Sequence, residues 1–448
     1  MLTLDELGVM VDDGRIDTVL VALTDMQGRL QGKRCHARYF LDEVVGAGTE
    51  ACNYLLAVDV DMRTVDGYAL SSWDLGYGDF VLRPDLSTLR LVPWHAGTAL
   101  VLCDVEGHDG APVAPSPRQV LRRQLDRLAS AGLVACAGTE LELLVFRDTY
   151  EDAWRSHYHG LEPANQYNVD YSLVGTARVE HLLRRIRNEM TGAGLSVESA
   201  KGECNLGQHE IAFHWADALT TCDNHVIYKT GAKEIAAQEG MSLTFMAKYD
   251  EREGNSCHVH LSLRTSDGAP AFAGDGPNGF SPLMDSFLAG QLACLEEMTL
   301  LLAPNINSYK RFVAGSFAPT AVAWGRDNRT CALRVVGHGP SLRFENRVPG
   351  GDVNPYLALA ALIAAGLHGV ERSLALPPEH RGNAYAADGP RVPATLRDAA
   401  GRFAASTVAA AAFGEDVVAH YVNAARVELA AFDAAVTDWE RIRGFERL

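Results

Sequence analysis

The sequence is missing several features from which function is usually read. Its nine cysteines are an odd number and include no C-x-x-C pair, so neither a disulfide framework nor a structural zinc site is indicated, and a reducing cytoplasm is expected. There is no glycine-rich P-loop ending in Lys-Ser or Lys-Thr and no helix-opening G-x-G-x-x-G; any nucleotide would be held by other means than the Walker or Rossmann devices. The most apolar run, Tyr356 to Leu367, falls well short of the roughly 20 residues needed to cross a bilayer, and its alanine content suits a buried helix. The N-terminus, Met-Leu-Thr-Leu-Asp-Glu-Leu, lacks the basic start and apolar core of a signal peptide, so no membrane association is expected. Positive charge is scarce as well: 40 Lys and Arg face 57 Asp and Glu, a net charge of -17. That balance argues against a nucleic-acid surface and suits either solubility alone or cationic partners.

The 448 residues can bury a large core and predict a small domain followed by a large one. Asp17 to Thr24 reads as a strand and Asp25 to Gly28 as a turn into a second one. This β-rich unit closes after Ala99 to Cys103, where Gly107, Gly110, Pro112, Pro115 and Pro117 crowd together, placing the domains at residues 1–108 and 109–448. Ser116-Pro117 has the N-cap and first-turn pairing of a helix start. Val134 to Phe146 reads as a strand interrupted at Gly138, and Val179, Leu182, Leu183, Ile186 and Met190 mark an amphipathic helix. Strands and helices then alternate, and the last hundred or so residues are mainly helical.

Against that background, Arg343-Phe-Glu-Asn-Arg347 stands out. Residues two apart in a strand share a face, so Arg343, Glu345 and Arg347 would converge, and their burial without partners would cost several kcal/mol. Matching pieces lie at other strand ends: Glu140 with Glu142, Glu203 with Glu210 across a turn at Gly207, and His258-Val-His260. One histidine could ligate a metal while the other meets substrate or phosphate; either could also be a satisfied core histidine. Carboxylates with one imidazole suit Mg²⁺ or Mn²⁺ better than structural zinc. Arg311, Arg329 and Arg334 supply guanidinium forks for carboxylate and phosphate.

These segments resemble, in order, the signatures of the glutamine synthetase superfamily, and the resemblance covers nearly the whole chain. They are Gly138-Thr-Glu-Leu-Glu142, Gly202-Glu203 to Gly207-Gln-His-Glu210, His258-Val-His-Leu-Ser262, Asn307-Ser-Tyr-Lys-Arg311 and Arg343 to Arg347 with Asn354-Pro-Tyr356. Thr244 to Lys248 and Asp79 to Thr88 strengthen the match. The resemblance implies an α+β chain: an N-terminal β-grasp domain, then a catalytic α/β domain with a curved antiparallel sheet. It implies a homo-oligomer of stacked rings, a dodecamer of two hexamers, in which the small domain completes a neighbour's site. Carried over position by position, Glu142, Glu203 and Glu210 would hold one metal and Glu140, His258 and Glu345 a second. Arg311 and Arg347 would bind glutamate's α-carboxylate and Gly254 its amino end. Arg329, Arg334 and Arg343 would face the phosphates of ATP, with Glu198 and Ser262 near the nucleotide. The implied chemistry is phosphorylation of the γ-carboxylate by ATP, then displacement of phosphate by an amine.

The pattern departs at the flap. Family members that use ammonia carry Pro-Gly-Tyr-Glu-Ala-Pro after the Asn-Ser-Tyr-Lys-Arg segment, whereas this chain has Ala314-Gly-Ser-Phe-Ala-Pro319. Phe317 replaces the acid. A phenyl ring cannot accept a proton and offers an apolar surface, which suits an alkylamine. The small-domain Phe-Asp-Gly-Ser-Ser motif is also missing, leaving Asp59 or Asp61 as the substitute. The expectation is a γ-glutamylamine ligase acting on ethanolamine, a polyamine or a similar primary amine. Glutamine synthesis with another base is the alternative, ahead of a catalytically silent ring-forming protein or a metal-dependent amidase. Tyr385 falls near the tyrosine that is adenylylated in some relatives.

Overall fold

Continuous apolar runs at Val19–Leu23 and Ala99–Cys103 form the two central strands of a first sheet in the computed structural model, which describes all 448 residues. β1 (Thr18–Thr24) and β6 (Thr98–Glu106) pair in parallel. β2 (Leu30–His36), β3 (Thr49–Cys52), β4 (Asp79–Pro84) and β5 (Arg90–Leu91) complete it in the order β2-β1-β6-β4-β3, with β5 on β6. Gly28 turns β1 into β2 at φ 78°. Alternation along the central strands divides their side chains between two cores. Val19, Val21, Leu23, Ala99, Val101 and Cys103 join a cluster of 18 buried residues, while Ala22, Leu100 and Leu102 join the main cluster of 84.

The second sheet is built on β7 (Leu133–Phe146), joined by β8 (Val197–Gly202), β9 (Gln208–Phe213), β10 (Ala216–Asp217), β11 (Ser242–Thr244), β12 (Cys257–Thr265), β13 (Trp324–Arg326), β14 (Leu333–Val336) and β15 (Arg343–Asn346). Its order is β13-β14-β15-β12-β7-β9-β8, with β10 and β11 also on β7. Pairing is antiparallel except between the edge strand β13 and its neighbour β14, which run parallel. β7 passes through Gly138 unbroken, contrary to the expected interruption. Gly138 pairs with His260, and a Cβ on it would make only ordinary contact, 3.8 Å from that of Trp215, so the strand there is held by its pairing and not bent by the glycine.

Helices cover the sheet. Leu182, Leu183, Ile186 and Met190 are buried along Glu180–Gly192 as their spacing predicts. Pro355–Glu371 is buried along most of its length and is capped by Asn354, whose side chain accepts from the Tyr356 amide at 3.1 Å. Ser116, expected to cap Pro117–Ser130, makes no side-chain cap bond, so the proline alone marks that start. No helix is long and apolar enough to cross a membrane.

A largely buried ionic network joins the first sheet to the helices that cover the second. Arg118, at the start of the helix Pro117–Ser130, reaches Asp85 at 2.7 Å and Asp104 at 2.6 Å beside the first sheet, and Asp223 at 3.0 Å in the helix Ala218–Gln238. Tyr356 donates to Asp223 at 2.6 Å.

Candidate active site

Strand register assembles the site. β7 carries Glu140 and Glu142 on one face; β9 sets Glu210 opposite Glu142, and β8 sets Lys201 opposite Glu210. Glu203 follows β8 at the head of the hairpin. Gly207 turns that hairpin at φ 73°, where a Cβ would fall 2.4 Å from the Val145 carbonyl oxygen, so only glycine fits. As a result Glu142, Glu203 and Glu210 offer carboxylate oxygens all within 4.8 Å of one another.

On the other side of β7, β12 places His258 opposite Glu140 and His260 opposite Glu345. Glu140, His260 and Glu345 form a second trio within 4.8 Å. His258 adjoins it, its Nδ1 lying 3.2 Å from Glu140 and 3.4 Å from Glu345. Both histidines therefore meet this group. Arg343 Nε donates to His260 Nδ1 at 3.3 Å, so the imidazole proton sits on Nε2 and is donated to Glu140 at 2.9 Å. The His258 Nε2 is buried without a partner.

The two trios differ in charge balance. Burial works to raise Glu140 and Glu345, but the neighbouring histidines, joined at Glu345 by Arg347, outweigh it and both carboxyls lie below their usual range. Arg334 also bonds Glu345 at 2.9 Å. In the first trio the balance is reversed. Burial and adjacent carboxylates push Glu210 up to about 9 and raise Glu142 and Glu203, against the pull of Lys201. Lys201 contacts Glu203 and lies 3.9 Å from Glu210. Oxygen-rich donor sets with an unmet negative charge fit hard divalent cations.

Two cavities meet at Glu140. One, of about 730 Å³, is lined by the first trio together with Gly254, His258, Phe317, Arg329, Arg334 and Arg347. The other, of about 480 Å³, is lined by Glu198, Ser262, Arg343, His260 and Trp215. Gly254 is sterically required, since a Cβ there would lie 2.2 Å from the Ala247 carbonyl oxygen and 2.9 Å from Arg311 Cγ. Phe317 stands half-exposed at the rim with φ 58°, and its carbonyl accepts from Arg347 at 3.3 Å.

Three expected residues lie elsewhere in the single chain. Arg311 does not line the cleft beside Arg347. Its buried guanidinium donates to Ser256 Oγ at 3.2 Å, to the Arg347 and Pro349 carbonyls at 3.2 and 2.9 Å, and to that of Val348. Burial brings its pKa down to about 10. Asp59 and Asp61 sit in a turn of the first unit, where Asp59 accepts from the Arg63 amide at 2.8 Å and Asp61 pairs with Arg63 at 3.6 Å. Neither lines the cavities that meet at Glu140.

Lys201 and Trp215 escaped the sequence reading. Lys201 precedes Glu203 by two in a strand-like run, a same-face signal that was available; Trp215 carried none, because its place depends on how the chain leaves β9.

The glutamine synthetase catalytic-domain family model matches residues 114–443. The chain is 69% identical over 447 residues to gamma-glutamylethanolamide synthetase GlnA4 of Streptomyces coelicolor, covering 100% of this chain and 96% of that protein. It is 37% identical over 439 residues to glutamate–isopropylamine ligase of a Pseudomonas species, covering 97% and 96% of the two chains. Among solved structures, a GmaS/ADP complex superposes with a TM-score of 0.86 at 28% identity, over 98% of this chain and 99% of that one. With the motifs in order, both trios assembled and the match spanning both sheets, the chain belongs to the glutamine synthetase family.

Proposed function

We propose that this protein is an ATP-dependent ligase that joins the γ-carboxylate of glutamate to a primary amine through γ-glutamyl phosphate. The observation that carries the reading is the contrast within one cleft: both carboxylate trios and their arginines are present, while the flap presents Phe317. The names of two relatives, an ethanolamide synthetase and an isopropylamine ligase, support a small alkylamine.

Glu142, Glu203 and Glu210 would hold one Mg²⁺ or Mn²⁺, and Glu140, His258 and Glu345, with His260 beside them, a second. Bound there, such ions neutralise phosphate oxygens and polarise the phosphoryl group. Arg329, Arg334 and Arg343 complement charge on the transferring phosphoryl. Glu198, Ser262 and the flat face of Trp215 suit the nucleoside of ATP. Arg347 and Gly254 receive glutamate, and Arg311 joins them by releasing its carbonyl partners. We place the division between domains at 108/109, Asp59 or Asp61 at a neighbour's amine entrance, and the assembly, a dodecamer of two stacked hexameric rings, in the cytoplasm.

The test is phosphate release from ATP, Mg²⁺ and glutamate with ethanolamine, isopropylamine, putrescine, spermine or ammonium, with product mass determined. Turnover with an alkylamine and little with ammonium is expected. Turnover confined to ammonium would make the protein a glutamine synthetase. In the same assay Phe317→Glu should shift preference toward ammonium by about tenfold, the effect of one restored charged contact.

A further inference from the structure

Tyr385 is a half-buried residue with a buried hydroxyl, to which the proposed chemistry gives no task. It lies in a short helical turn, Ala384–Ala386, in the segment 379–392, which bridges the chain just after the flap at Ala321 and Arg391. That segment is tied on both sides. Toward the flap, the Val322 amide donates to the Pro390 carbonyl at 3.0 Å and the Val392 amide to that of Thr320 at 3.2 Å. Arg391 bridges the Thr320 hydroxyl at 3.4 Å and the Tyr385 carbonyl at 3.3 Å. Toward the loop carrying Arg329, Asn328 donates to the Gly382 carbonyl at 2.8 Å and the Ala384 amide donates to Thr330 Oγ1 at 2.9 Å. One strap thus holds both the flap that bears Phe317 and the loop that bears a phosphate-facing arginine.

The Tyr385 hydroxyl lies beside the Phe317 backbone amide, yet it is buried with no hydrogen-bond partner in this conformation. Leaving a buried polar group unpaired is costly. Phe317 itself holds the left-handed backbone region at φ 58°, a conformation that persists in a non-glycine residue only when its surroundings enforce it. An unsatisfied acceptor next to an amide on a strained flap describes a contact that is completed in another state of the flap.

We propose that Tyr385 is a positioning residue for flap closure: in the closed state its hydroxyl accepts from the Phe317 N–H, and the strap 379–392 passes that closure to the loop of Arg329. The consequence lies in the fate of γ-glutamyl phosphate. In productive turnover the amine nitrogen attacks the γ-carbonyl carbon, the C–N bond forms, the carbon–oxygen bond to phosphate breaks with its electron pair leaving on phosphate, and the proton the amine gives up ends on that phosphate. If the flap opens, a water oxygen attacks the same carbon, phosphate leaves and glutamate is regenerated, so ATP is consumed without amide. A closed flap excludes that water.

This inference rests on the proposed ligase reading, and one experiment separates their failures. Phosphate and amide are quantified together for the wild type, Tyr385→Phe and Arg391→Met, with folding checked by thermal melting. The wild type should release about one phosphate per amide, and Y385F should raise that ratio about threefold to tenfold, the effect of one lost hydrogen bond. The KM for amine should rise while that for ATP holds. R391M, which cuts the strap without touching the tyrosine, should move the ratio the same way, and it serves alone if Y385F does not fold. A variant whose kcat falls at an unchanged ratio has lost only structural support, and that result overturns the inference. A wild type that forms no amide from glutamate with any amine, ammonium included, overturns the ligase reading instead.

Discussion

Around Arg118, two guanidinium groups meet three aspartates in an interior whose charges nearly cancel. Arg118 and Arg122 share Asp85 and Asp104, Arg118 also pairs with Asp223, and Tyr356 donates to that third acid. Around Glu210, three carboxylates gather within 4.8 Å and face one ammonium, that of Lys201. With all three ionised, as a bound cation would hold them, three negative charges against one positive leave two, the charge of one divalent cation. Both clusters consist of side chains that are expensive to bury. The first is nearly complete in itself and ties the first sheet to neighbouring helices, whereas the second has an excess that only something from outside the chain can meet. What distinguishes a site from a brace here is the missing partner, since both are buried and charged.

The comparison breaks most severely at the trio. Glu210→Gln should lower ligase activity by about a thousandfold, because it removes a ligand from the group expected to hold a catalytic metal. Its metal-free melting temperature should stay level or rise, since one of three mutually repelling carboxylates is gone. Chelation of the wild type should abolish activity, and Mg²⁺ or Mn²⁺ should restore it. A Glu210→Gln enzyme that retains most of its activity would show that the trio is a brace after all.

Arg118→Met should have the opposite signature. It leaves the buried Asp223 with no guanidinium partner and leaves Asp85 and Asp104 to Arg122 alone, and should cost about 3–5 kcal/mol of stability, read from the urea midpoint, while activity per folded molecule is kept. Loss of activity without loss of stability would mean that the network shapes the cleft directly.

The cleft was far more legible in the sequence than the brace, and the reason is physical. Glu140 and Glu142, or Arg343, Glu345 and Arg347, announce themselves because strand alternation brings near neighbours in sequence to one face, and a turn at Gly207 does the same for Glu203 and Glu210. Arg118 meets Asp85, Asp104 and Asp223 only through tertiary packing, and no local pattern marks them. The same limit explains Arg311. Its motif fixed its place in the chain, but which way its guanidinium turns depends on the carbonyls of residues 347–349, which the motif does not describe. Gly138 reads as a break because glycine weakens strands, yet unbroken pairing with β12 on either side of it keeps β7 continuous.

A smaller effect separates the brace from its surroundings. His420 packs 4.6 Å from the Tyr68 ring, with Nε2 2.9 Å from Met26 Sδ, and burial brings its pKa from 6.5 down to about 4. Because the folded value lies below the unfolded one, the contribution is fully present above pH 6.5 and is lost as pH falls toward about 4. His420→Gln removes that titration and should flatten the loss of stability over this window by about 3 kcal/mol, measured as urea midpoints at a series of pH values. Equal slopes in both proteins would assign the acid sensitivity to other groups.

The finest test concerns the one cation already in the trio. If Lys201 partly stands in for a metal, Lys201→Met should destabilise the metal-free protein by about 1 kcal/mol, the scale of a partly exposed ion pair. It should hardly affect the metal-bound form, in which the divalent ion meets the carboxylates directly and the ammonium is repelled by it. The rise in melting temperature on adding Mg²⁺ or Mn²⁺ should then be larger in the variant than in the wild type. An identical rise in both would mean that Lys201 serves the hairpin or the Tyr171 ring, over which its ammonium lies at 5.1 Å, and that its charge does not enter the balance of the trio. The sign of that difference reports whether the excess charge at Glu210 is shared between protein and metal or left wholly to the metal.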